Sequence, residues 1–339
     1  MRKIMWRLFV IVLSAVSLHA GNLLHHLKVV ECEAQPRQIE PIDCIYVINL
    51  DSRPEKYRAC MVQCEKYGIK PFRFSAVVGK ALSEQVAKEV GLKFGPGMTL
   101  CEGLAEPGGK IMHFYNERMY GLNCFYKNFS RGALGCALSH LSILQHAYDQ
   151  GYEMIWILED DFLMKQDPHL LTKYIEQLTE WVGEDNWDIL HTDDVHHFTW
   201  FGDLQRPDYE QITKDAIKEH PEYYGEYFSL QDRYADKVDQ MRSWWVKRLK
   251  KSYKTHGKTK AFPDIHPDFR YITGRFFTHS MIIKRSAMRK ILDFEDRYGI
   301  CLPYDDEISL IPFLNMFNLK CNLVTRDDEA VSDTATHTK

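Results

Sequence analysis

The run MIWILEDD at residues 154–161 constrains this chain more than any other segment. Its five consecutive apolar residues leave no polar alternation, so both faces of the strand they form must be covered. That is the pattern of a central strand in a sheet packed on both sides by helices. Glu159, Asp160 and Asp161 follow at once. Residues just past such a strand lie at the carboxyl edge of the sheet, where open α/β folds bind their ligands. Adjacent carboxylates repel one another there unless a cation intervenes, and hard Mg²⁺ or Mn²⁺ prefers such oxygens.

Strands and helices alternate on either side of this run. Residues 44–50 (CIYVINL) read as a short β-branched strand. Pro54 suits the first turn of the helix after it, and Tyr57, Met61 and Cys64 continue one apolar face until Gly68. A second strand at 72–77 leads to Gly79. From Ser130 onward Leu134, Leu138, Leu141, Leu144 and Tyr148 recur at helical spacing, with Gly151 where a C-terminal cap belongs. Further strands are predicted at 187–192 and 276–283, with Ser286 capping the next helix. The pattern predicts an α/β domain with a mostly parallel sheet flanked by helices.

Two stretches break the alternation. Residues 91–128 are rich in Gly, Pro and aromatics without a period, and read as a long loop or lid. Residues 196–270 are charged and aromatic, and read as a helical insertion. Within it, 241–260 holds eight basic residues and no acid, interleaved with Trp244, Trp245 and Leu249. Such a helix can lie on an anionic membrane surface or clasp a charged acceptor; equally, it can be a solvated helix whose tryptophans pack on the domain.

With 43 basic and 47 acidic residues the net charge is −4, which gives no global attraction to nucleic acid. Nine cysteines, an odd count without zinc-ribbon spacing, indicate no disulfide framework. Cys60 and Cys64 read as two half-buried thiols on one helix face. Residues 1–20, with Arg2, Lys3 and Arg7 ahead of an apolar run, read as a signal peptide or N-terminal anchor, and 21–43 as a linker. Export would make Asn128, in the triplet Asn128, Phe129, Ser130, an N-glycosylation acceptor.

Taken together, IYVINLDSRPEKYR at 45–58, RGALGCALSHLSILQHA at 131–147 and WILEDDF at 156–162 resemble glycosyltransferase family 25. WDIL at 187–190 and FFTHSMIIKRSAMRKIL at 276–292 agree in order. The family includes lipooligosaccharide (lipopolysaccharide-type) galactosyltransferases and procollagen galactosyltransferases. The resemblance implies a GT-A-like, Rossmann-type domain with a nucleotide-sugar-binding half at 44–195, the insertion at 196–270, the remainder at 271–326 and a tail at 327–339. It also implies an inverting, metal-dependent transfer of a hexose, galactose from UDP-galactose above all, to a glycan, glycolipid or collagen-like acceptor.

Carried onto this chain, the resemblance places Asn49, Leu50, Arg53 and Arg58 beside the nucleotide. It puts Mn²⁺ or Mg²⁺ on Asp160 and Asp161, and assigns Ser139 and His140 to the donor side. The LPYDDEI element at 302–308 supplies the base, Asp305 or Asp306. Members often carry an acid where Val78 stands, which motivates a second reading, a non-catalytic binding or adhesion protein. A third is a metal-dependent phosphoryl-transfer enzyme, against which the lack of a Gly-rich phosphate loop counts. Asp193 and Asp194, with His196, form another cluster of metal-ligand type. A nucleotide-sugar enzyme needs its donor on its own side. That suits an endoplasmic reticulum or Golgi lumen, or the cytoplasmic side in a bacterium.

Overall fold

The computed structural model describes residues 23–31, 36–93, 129–194, 266–272, 274–311, 314–327, 329–330 and 333–334, with short pieces at 101–104, 111–114, 123, 125–126 and 197–198. Residues 1–20, Asn128, His196 and the basic run 241–260 lie outside them. Among the described residues no helix is long and apolar enough to cross a membrane.

A seven-stranded sheet organises the molecule. Its strands are β1 (Cys44–Asn49), β2 (Phe72–Ser75), β3 (Met154–Glu159), β4 (Ile189–His191), β5 (Phe269–Ile272), β6 (Ser280–Lys284) and β7 (Met316–Leu319). Their spatial order is β5-β7-β4-β6-β3-β1-β2. Strands β1, β2, β3, β4 and β7 run in one direction, while β5 and β6 run against them. The sheet is therefore mixed with a mostly parallel sense, and the strand beside β3 on its far side is antiparallel. A run such as SMIIK encodes burial on both faces but not direction, which the connection decides.

The described α-helices are α1 (Pro54–Lys66), α2 (Glu84–Val90), α3 (Arg131–Asp149), α4 (Leu170–Val182), α5 (Arg285–Tyr298) and α6 (Tyr304–Leu310). One core lies between the sheet and α3 with α5, joining Tyr46, Ile48, Ile155 and Ile157 to Leu134, Leu138, Leu141 and Ile291. The other lies between the sheet and α1 with α4, joining Val47, Trp156 and Leu158 to Cys60, Cys64, Leu171 and Leu178. Successive residues of β3 thus feed opposite cores, the reason its sequence has no polar alternation. Each such large apolar side chain contributes about 1.5–3 kcal/mol. Trp156 also donates its indole N–H to Ser280 Oγ at 2.9 Å, so its burial leaves no orphan donor.

Local signals set the helix ends. Pro54 takes the first turn of α1, and Gly68 lies past its end at φ 68°. Ser130 caps α3 by accepting from Ala133 N, and Gly151 lies past its end at φ 76°. Ser286 differs from expectation: Lys284 occupies the N-cap of α5, and the Ser286 hydroxyl donates instead to Asp188. The expected strand at 276–283 begins only at Ser280, because Phe277 at φ 70° interrupts the pleat. Around 21–43, Leu23 is buried in the core and Ile39 bridges to Ile42.

Candidate active site

The parallel pairing of β1 with β3 sets Ile48 opposite Glu159, so the residues just past each strand become neighbours. Asn49, almost fully buried, uses its whole amide there. Nδ2 donates to Asp160 Oδ2 at 2.7 Å and to the Arg53 carbonyl at 2.9 Å, and Oδ1 accepts from Arg73. One side chain therefore ties the first acid to the turn that starts α1.

Asp160 and Asp161 open on a cleft of about 490 Å³, whose walls include Leu50, Arg53, Lys56, Ser139, Phe277, Asp305 and Arg326. Of the residues singled out in the sequence, Asn49, Leu50, Arg53, Ser139, Asp160, Asp161 and Asp305 all line this space. Arg58 does not; it is exposed on α1, outside the lining. Asp306 is also outside the lining, which separates it from Asp305. Ser139 has a structural bond pattern: its hydroxyl donates to the Gly135 carbonyl and accepts from Val77 N–H at 2.8 Å.

His140 is fully buried behind the cleft. It stacks on Tyr304, with centroids 4.4 Å apart, and its Nε2 meets Glu159 Oε1 at 3.0 Å. Thr278 donates to the same oxygen at 2.5 Å. Burial opposes ionisation of Glu159, but His140 and Thr278 prevail and hold it below the usual carboxylate value. Its neighbours behave oppositely. Burial raises Asp160 despite Asn49 and Lys56, and burial together with the Glu159 charge lifts Asp161 to about 6. Glu159 is thus an anion beside two carboxyls that resist ionising without a partner.

The donor set tests whether a divalent ion fits. Asp161 Oδ1 is buried with no hydrogen-bond partner, while Oδ2 lies 3.4 Å from Arg326 Nε. An orphaned carboxylate oxygen beside a second carboxylate is the all-oxygen arrangement that hard cations take. Cys136, His140 and Glu159 also bring one potential ligand atom each within 4.8 Å of one another. There burial pushes the thiol well above its ordinary value, and Glu159 already meets His140 and Thr278, so this trio offers a hard divalent ion less than the all-oxygen pair does.

Asp305 enters from the start of α6. Its Oδ2 accepts from Phe277 N at 2.7 Å and its Oδ1 from Asp306 N at 3.0 Å. Burial raises it above the ordinary aspartate value against those two bonds. Phe277 is held in the left-handed region, unfavourable for a bulky residue, by this bond and by Arg326 packed 4.3 Å from its ring centroid. Asp306, raised to about 7 by burial and by Asp305, faces elsewhere.

Of the cluster expected at Asp193, Asp194 and His196, the last lies outside the described residues, and among those described the two aspartates are engaged in ion pairs. Asp193, fully buried, pairs with Arg275 Nη1 and His279 Nε2, both at 2.9 Å, and Asp194 makes a bidentate pair with Arg270. Both are thus offset by arginines distant in sequence. Sequence reasoning missed Lys56, Arg326 and Asp333 in the cleft. Lys56 had a signal, since it lies one helical turn after Arg53 and shares its face; the other two had none.

Val78 and Gly79 also line the cleft, and Val78 is 49% exposed. A Cβ on Gly135 would fall 2.6 Å from both Gly79 N and Val77 O, so α3 touches this wall backbone to backbone.

These features define a Rossmann-like α/β domain with an acidic, cation-flanked cleft at its strand ends, the place where this class of protein binds its ligands. The family model described as Glycosyltransferase family 25 (LPS biosynthesis protein) matches residues 42–308, and the chain belongs to that family. A "Glycosyltransferase 25 family member" of Aedes aegypti is 26% identical over 156 residues, 46% of this chain and 22% of that protein. "Procollagen galactosyltransferase 1" of Danio rerio is 24% identical over 153 residues, 43% of this chain and 22% of that protein. A Drosophila melanogaster "Glycosyltransferase 25 family member" is 25% identical over 169 residues, 50% and 24% of the two chains. The chain thus spans about a fifth to a quarter of the length of these relatives.

Proposed function

We propose that this chain is a metal-dependent inverting glycosyltransferase that moves a hexose, galactose from UDP-galactose in the first instance, onto a saccharide or hydroxylysine-type acceptor. One observation carries the reading: Asp160, Asp161, the Leu50–Arg53 turn and Asp305 border a single cleft. Family membership supports sugar transfer, and the name of the Danio rerio relative supports galactose.

In this reading Asp160 and Asp161 hold Mn²⁺ or Mg²⁺, which when bound would offset charge gathering on the departing diphosphate. Asn49 aims Asp160, and Glu159, kept ionised by His140 and Thr278, adds negative potential that draws a cation inward. Arg53 and Lys56 face the diphosphate from the start of α1. Asp305 takes the proton from the acceptor hydroxyl as its oxygen bonds to the anomeric carbon and the bond from that carbon to the phosphate oxygen breaks. Its lining position favours it over Asp306 as the base, and its raised affinity for a proton suits the task. Should residues 1–20 act as a targeting segment, the setting is the secretory-pathway lumen.

The test is a UDP-sugar panel with and without Mn²⁺, comparing wild type with Asp161→Ala. UDP-galactose turnover that needs Mn²⁺ and falls at least a hundredfold in the variant is expected. Turnover indifferent to both overturns the assignment. A second reading, a non-catalytic member acting as a binding or adhesion protein, draws on Val78, an exposed apolar side chain on the cleft wall. Donor binding by calorimetry without turnover across many acceptors would favour it.

A further inference from the structure

Arg53 and Lys56 both line the cleft at the start of α1, and a carboxylate from far along the chain lies between them. Asp333 Oδ1 accepts from Arg53 Nε at 2.9 Å and Nη2 at 2.5 Å, and its Oδ2 accepts from Lys56 Nζ at 2.6 Å. Both oxygens are used, in the forked, charge-assisted geometry with which arginine and lysine hold phosphate. The segment is seated rather than merely near. The Thr334 carbonyl accepts from the Ser130 hydroxyl at 2.5 Å, and a Cβ on Gly132 would fall 2.9 Å from the Asp333 carbonyl. The first turn of α3 thus leaves room for 333–334 by carrying glycine there.

Charge balance says what this arrangement stands in for. Arg53 and Lys56 bring two positive charges. Asp333 offsets one, and Asp160, 3.6 Å from Lys56 Nζ, offsets the other. A sugar-linked nucleoside diphosphate brings two negative charges, and a divalent ion would offset Asp160 and Asp161. Asp333 would then be a surplus carboxylate in a half-buried cleft, which is unfavourable. Removing it restores neutrality, because the same two cations face the diphosphate instead.

We infer that Asp333 occupies the seat of the donor's diphosphate and that donor binding displaces the 333–334 segment, which competes with the donor for Arg53 and Lys56. The inference rests on the donor reading of the cleft. Its consequence is a built-in competitor: the apparent donor affinity is the intrinsic affinity reduced by the fraction of molecules whose seat is open.

The experiment is UDP titration by calorimetry in the presence of Mn²⁺, on wild type and on Asp333→Asn, which keeps the size of the side chain and removes its charge. Hydrogen exchange of peptides covering 329–334 in the wild type is measured with and without UDP. The Asn variant is expected to bind UDP about 3–10-fold tighter, a modest gain because Arg53 is partly exposed and its pairs are screened. UDP is expected to speed exchange over 333–334. Equal or weaker UDP binding by the variant, with exchange unchanged or slowed, overturns the inference alone; weaker binding would make Asp333 a ligand of the donor or its ion. UDP binding to neither protein overturns the donor reading, and the inference with it. Should Asp333→Asn fail to fold, exchange in the wild type decides.

Discussion

Asp161→Asn should stabilise the protein at neutral pH in the absence of metal, and only there. In the folded chain Asp161 titrates at about 6 rather than 3.8, burial being the main cause and the Glu159 charge the second. The native state therefore holds a proton that the unfolded chain releases between about pH 4 and 6. Stability falls as pH rises through that window. A displacement from 3.8 to about 6 corresponds to about 3 kcal/mol, present in full below the unfolded value and lost once pH passes the folded one. Asn abolishes the titration but also the contact of Arg326 with Asp161 at 3.4 Å, a partly exposed pair worth about 0–1 kcal/mol.

The net expectation is a variant about 2 kcal/mol more stable than wild type at pH 7.5 and no more stable than it at pH 4. Urea unfolding of both proteins at the two pH values, without divalent ions, reads this difference and cancels every other titrating group. Adding Mn²⁺ at a hundredfold excess over its dissociation constant should then stabilise wild type by about 2.7 kcal/mol and the variant far less. A variant less stable than wild type at pH 7.5, or a difference independent of pH, would refute the reasoning that Asp161 is a desolvated carboxyl awaiting a cation.

Two further outcomes arise from packing. Arg275→Met leaves Asp193, fully buried, with only His279 as an ion-pair partner among the described residues, and should cost about 3–5 kcal/mol by urea unfolding; adding Asp193→Asn to the same chain should recover part of that loss, and a single-variant loss under about 1 kcal/mol would show the pair to be dispensable. Gly135→Ala sets a Cβ against the backbone of Val77 and Gly79, so α3 or the cleft wall must move. A stability loss of about 1–3 kcal/mol with at least roughly threefold weaker UDP binding is expected, and both unchanged would mean the close approach has no bearing on the cleft.

Much of the fold was legible because short-range physics fixes it. A five-residue apolar run fully exposed to neither side must be an interior strand, and β3 is buried on both faces as that requires. Pro54, Gly68, Ser130 and Gly151 mark helix ends through backbone preferences that act within one turn. Strands deliver the residues after them to the sheet edge, so Asp160 and the turn past Asn49 also came together as their order suggested. Arg58 and Asp306 lie outside the cleft, because proximity in sequence to a lining residue does not place a side chain on the same helix face.

The rest depended on pairings between distant segments. Nothing in SMIIK tells whether β6 runs with β3 or against it, and nothing around Ser286 tells that Asp188 outcompetes the helix end for its hydroxyl. The sequence alone determined that acids would crown a buried strand, since burial and alternation are local properties. Only the tertiary structure decided which cations meet them. Arg326 reaches Asp161 across 165 residues, and elsewhere Arg275 reaches Asp193 across 82 and Asp333 reaches Arg53 across 280; such contacts result from how whole layers stack rather than from any period in the chain.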